Sequence, residues 1–140
     1  MKDKTERTAL HQCLKYDKIV RLLLQKGANI EAKDRNKATP LFLAAYFGYE
    51  ATVRQLLASG ADMEAQDSNG WSPLVAAVSG EHATVVQLLL EKGANIETTT
   101  HDFETPLHYA AMRGHKDILQ LLLDKGADIE ETDEYGRTVL

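Results

Sequence analysis

Thr105-Pro106-Leu107-His108-Tyr109-Ala110-Ala111-Met112-Arg113-Gly114-His115, followed by Lys116-Asp117-Ile118-Leu119-Gln120-Leu121-Leu122-Leu123-Asp124-Lys125-Gly126, decides how the rest of the chain is read. Thr105 is an N-cap residue and Pro106 suits the first helical position, where its missing N–H costs nothing. Gly126 suits the left-handed turn that ends a helix. Gly114 falls between two short apolar stripes and marks a turn, so the stretch predicts two short helices forming a hairpin.

The stretch is one copy of several. Gly27, Gly60, Gly93 and Gly126 are spaced by 33 residues, and each opens the same phrase: Gly27-Ala28-Asn29-Ile30-Glu31, Gly60-Ala61-Asp62-Met63-Glu64, Gly93-Ala94-Asn95-Ile96-Glu97 and Gly126-Ala127-Asp128-Ile129-Glu130. Thr39-Pro40-Leu41, Ser72-Pro73-Leu74 and Thr105-Pro106-Leu107 keep the same register, and Thr138-Val139-Leu140 opens a further copy. Leu41, Ala44, Ala45 and Gly48 lie on one face of a first helix, and Val53, Leu56 and Leu57 repeat that spacing in a second. Each hairpin therefore has an apolar side that only a neighbour can cover, and the core is shared between repeats.

These motifs resemble the ankyrin repeat across nearly the whole chain. The resemblance implies an all-α protein, an α-solenoid of stacked helix-turn-helix units, with β-hairpin fingers projecting between them. Residues 1–140 then form a single domain, with repeats at about 3–33, 34–66, 67–99 and 100–132 and a partial one at 133–140. The chain opens inside a finger and closes three residues into a helix opening, as expected of a segment of a longer array.

Several departures from the pattern stand out. Thr8 and Gly27 are 19 residues apart where other repeats have 21, and the missing pair falls at the inter-helix turn near Tyr16. Gly80 comes one position early and leaves Glu81 in the turn slot, so that turn is expected to differ in detail. Gly70 and Gly136 hold the finger glycine position, whereas Glu6, Lys37 and Phe103 do not. A left-handed backbone there would cost each of them up to about 1 kcal/mol.

Composition narrows function. Hydrophobic residues make up 44% and charged residues 26% of 140, an ordinary content for a folded soluble chain. The longest apolar run, Leu41 to Phe47, is well short of the roughly 18 residues a membrane span needs, so no membrane insertion is expected. These features suggest an intracellular protein, cytoplasmic or nuclear. Cys13 is the single cysteine and fills a small core slot, so no disulfide is expected. The histidines follow the repeat, in the helix opening (His108) and after the inter-helix turn (His82, His115). The resemblance gives them hydrogen bonds to finger and turn backbone. No metal, no cofactor and no catalytic constellation is expected, because candidate groups are spread along the stack. No glycine-rich phosphate loop is present.

Charge is uneven: residues 1–37 hold ten Lys/Arg against five Asp/Glu, and residues 38–140 hold six against sixteen. That polarity could steer a partner or amount to an uneven solvated surface. Nucleic acid is a weak candidate, since Tyr16 is the basic head's only aromatic. The expected form is a monomer, with end-to-end association through the terminal repeats as the alternative.

The resemblance implies a non-catalytic module that binds a partner protein with its fingers and the exposed face of its first helices. The matching positions are Arg35, Asn36 and Tyr46; Ser68, Asn69 and Trp71; His101, Phe103, Glu104, Met112 and Arg113; and Tyr135 and Arg137. Trp71 and Tyr46 lead, because aromatics and arginine dominate interface energies. The other reading of Trp71 is a ring lying over its own finger and stiffening it. Glu31, Glu64, Glu97 and Glu130 form an acidic ladder that either draws a basic partner or fills a slot preferring polar residues. A structural spacer within a longer array is the alternative function.

Overall fold

A computed structural model describes residues 1–139; Leu140, the last residue of the partial repeat, lies outside them. Among the described residues eight helices follow in order: α1 (Ala9–Gln12), α2 (Asp17–Gln25), α3 (Pro40–Phe47), α4 (Glu50–Ala58), α5 (Pro73–Ser79), α6 (Ala83–Glu91), α7 (Pro106–Arg113) and α8 (Lys116–Asp124). Odd-numbered helices pack on one another in one row, even-numbered helices in a second, and the rows meet within the hairpins α3–α4, α5–α6 and α7–α8. The result is the all-α solenoid that the resemblance implies.

Local chemistry sets the helix ends. The side chains of Thr39, Ser72 and Thr105 accept hydrogen bonds from the backbone N–H groups of Phe42, Val75 and His108, with proline at the first helical position each time. Each second helix ends in a double closure. Gly60 N–H donates to Leu57 O (3.1 Å) and Ala61 N–H to Leu56 O (3.0 Å), with Gly60 left-handed at φ 87°; the other three repeats do the same.

Between the rows, Ala44, Ala45, Ala76, Ala77 and Ala110 are fully buried, and their small side chains let the helices approach closely. Leu41, Leu56, Leu74, Leu89, Leu107 and Leu122 fill the space around them. Burying each such leucine contributes about 2 kcal/mol, and truncating one to alanine costs roughly 2–5 kcal/mol.

The expected β-hairpin fingers are absent: among the described residues there is no β-strand. Each finger is instead a tight turn closed by a side chain. In the second, Asp34 N–H donates to Ala38 O and Lys37 N–H to Asp34 O, while the Asp34 carboxylate accepts from the N–H groups of Asn36 and Ala38, both at 2.9 Å. The side chain takes up N–H groups that a strand ladder would have paired, so two flanking extended strands never form.

The turn between α5 and α6 also departs from expectation. Glu81 adopts φ 62°, close to Gly48 (73°) and Gly114 (71°) at the same place, while Gly80 is right-handed. The backbone follows the other turns and only the residue identity differs.

Candidate functional site

The finger turns share one construction. Asp67 accepts from Asn69 and Trp71 N–H, and Asp133 from Tyr135 and Arg137 N–H, all at 2.9 Å. Asp3 makes the same pair of bonds in the first finger. In the fourth, Thr100 substitutes a hydroxyl whose bonds to Asp102 and Glu104 N–H lengthen to 3.3 Å. At Asp133, the Arg137 guanidinium (2.7 Å) and the turn N–H groups hold the carboxyl below its usual range.

One backbone hydrogen bond joins each finger to the next. Arg35 N–H donates to Thr5 O, Ser68 N–H to Asn36 O, His101 N–H to Asn69 O and Glu134 N–H to Asp102 O. The tips therefore form a single row along which Arg35, Asn36, Ser68, Asn69, His101, Phe103, Tyr135 and Arg137 are all exposed. The row is graded in charge: segments 1–8 and 31–38 are each net +1, 64–71 is −2, and 97–104 and 130–137 are each −3.

The acidic ladder has a structural reason for its polar residues. Glu31 accepts from Asp62 N–H (2.7 Å), Glu64 from Asn95 N–H (2.8 Å) and Glu97 from Asp128 N–H (2.7 Å). Each carboxylate reaches the backbone 31 residues on and ties one repeat to the next. The histidines at the helix openings act similarly. His11 bonds Thr8 on one side and Ala38 O on the other, and His108 bonds Thr105 and Arg137 O. Phe42 and Val75 hold that slot in the middle repeats.

Below the tips, the first-helix face brings some expected residues together and separates others. Trp71 is half-buried and meets Tyr109 of the following repeat edge-on, ring centres 4.9 Å apart, so the indole packs between repeats and not over its own finger. Burial, with the Glu104 carboxylate nearby, pushes the Tyr109 phenol well up. Glu104, Met112 and Arg137 line one concavity of about 260 Å³. Tyr46 and Arg113 are exposed at the ends of α3 and α7, in different repeats. Cys13 donates to Leu10 O, and burial raises its thiol.

Sequence reasoning passed over Asp34, Asp67 and Asp133, whose spacing of one and two repeat lengths was visible, and Tyr109, whose contact crosses a repeat boundary. Among the described residues no group of three or more His, Cys, Asp or Glu could hold a metal ion, and no helix is long and apolar enough to cross a membrane. A family model described as ankyrin repeats (3 copies) matches residues 1–67 and 41–133. No curated protein matches the chain.

Proposed function

Since the chain belongs to the ankyrin repeat family, whose members are non-catalytic protein-interaction scaffolds, we propose that it holds a partner protein against its finger tips and the exposed face of its first helices. The observation that carries this reading is the row of tips. Folding uses the backbone of each finger and its closing aspartate or, in the fourth, Thr100, while the tips from Arg35 to Arg137 are exposed at regular intervals. Such a surface offers many contacts at low ordering cost, because the turns are already fixed. Its graded charge favours one orientation of a partner over the reverse.

The test compares two variants of the immobilised chain. One replaces Arg35, Asn69, His101 and Tyr135 with alanine; the other replaces exposed second-helix residues Gln87 and Gln120. A partner retained by the second and lost by the first is the expected outcome. Loss in the second alone would place the contact elsewhere, and indifference to both with sensitivity to repeat number would favour a spacer.

A further inference from the structure

The two residues missing from the first inter-helix turn leave an opening in the first-helix face. α1 is four residues long where α3 and α7 have eight. Where α3 meets the third repeat, that last turn covers its neighbour: Tyr46 O accepts from His82 Nε2 (3.0 Å) and lies so close to Gly80 that no Cβ would fit there. The first repeat has no such turn, so the matching part of the second repeat is uncovered. Phe47 is 49% exposed, and Tyr49 stands in the slot that His82 fills one repeat later.

A cavity of about 290 Å³ results. Leu14, Leu43, Phe47 and Tyr49 form its wall, with the Phe47 and Tyr49 rings stacked 5.8 Å apart. Arg7 and Lys15 stand at its rim. Arg7 is shared with Asp34 at 3.4 Å, whereas Lys15 lies over the Tyr16 ring and forms no ion pair among the described residues. The volume falls at the lower limit for small-molecule sites, about 300 Å³, and suits one inserted side chain.

We propose that this pocket takes an aromatic side chain from an acidic segment of a partner protein, the ring lying on Phe47 and Tyr49 and the flanking carboxylates facing Lys15 and Arg7. This rests on reading the first-helix face as an interaction surface, and it names the chemistry of what binds there. The basic head, net +5 over residues 1–37, attracts such a segment and repels a basic one. A nucleic acid would meet the same cations, but any length reaching past the second repeat would run along a surface that is net −8 over residues 67–140.

The probe is a labelled pentapeptide with phenylalanine between two Asp-Glu pairs, titrated with the 140-residue chain and read by fluorescence anisotropy. Saturable binding is expected, weakened about tenfold when the peptide's phenylalanine becomes serine and about fivefold by Lys15→Glu. Inserting Ser-Gly between Lys15 and Tyr16 restores the usual turn length and should abolish binding, with circular dichroism confirming an intact fold. Absence of binding up to about 1 mM, equal binding of a Lys/Arg version, binding that survives the insertion, or tighter binding of single-stranded DNA would overturn the proposal. Should the peptide fail while tip substitutions still release a partner, the interaction surface stands and this pocket's role falls.

Discussion

Lys37 is the sharpest place to test the account of the fingers. Its backbone is left-handed (φ 60°), and its exposed side chain has no hydrogen bond or ion pair among the described residues. A non-glycine residue in that conformation carries about 1–2 kcal/mol of strain. Glycine removes it but loses about 0.5–1 kcal/mol through its freer unfolded chain. Lys37→Gly should therefore stabilise the protein by about 0.5–1 kcal/mol, a rise of about 3 °C in midpoint for a chain of this size. Two controls separate strain from charge. Lys37→Ala keeps the strain and should be neutral. Gly136→Ala adds strain at φ 71°, where a new Cβ meets nothing within 4 Å, and should cost about 1 kcal/mol. Urea and thermal unfolding followed by far-ultraviolet circular dichroism measure all three. Equal gains from Lys37→Gly and Lys37→Ala, or a neutral Gly136→Ala, would refute the assignment of strain to these turns.

Two further outcomes follow from the connectors. Glu97→Ala removes the bond to Asp128 N–H and should cost about 1 kcal/mol in urea unfolding, whereas Glu130→Ala, whose carboxylate has no hydrogen bond among the described residues, should stay within about 0.5 kcal/mol. Burial lowers the pKa of His11, so below about pH 6.5 the unfolded chain takes up a proton that the folded chain resists. Stability contributed by His11 is therefore present above that pH and is lost as pH falls through it. His11→Phe, which places in the first repeat the residue that the second carries at Phe42, should flatten this part of the thermal midpoint's pH profile; an unchanged slope would assign it to other groups.

The helices and their ends were legible in the sequence because each rests on a local cue, such as Thr39-Pro40 at a start or Gly60 at a stop, multiplied by the period. The fingers were misjudged as strands because the residue that closes each turn, an aspartate or in the fourth Thr100, takes N–H groups two and four positions on. Asp34 satisfies locally what a ladder would satisfy across strands. The ladder of glutamates was visible as a column, yet its partners are main-chain groups that no residue pattern marks. Trp71 was legible as a conspicuous ring, while its packing partner, Tyr109, sits in a slot held by Leu43 and Ala76 in the preceding repeats. The candidate surface was thus readable as positions, and its connectivity only as structure.

The shortened first turn also bears on how the array comes apart. The three joints between full repeats each have a carboxylate bond at the finger base and a backbone bond between tips, but the joint between the first two repeats has only a four-residue α1 to pack against α3. Under denaturant this seam is the expected first point of opening, separating the first hairpin from the better-covered repeats.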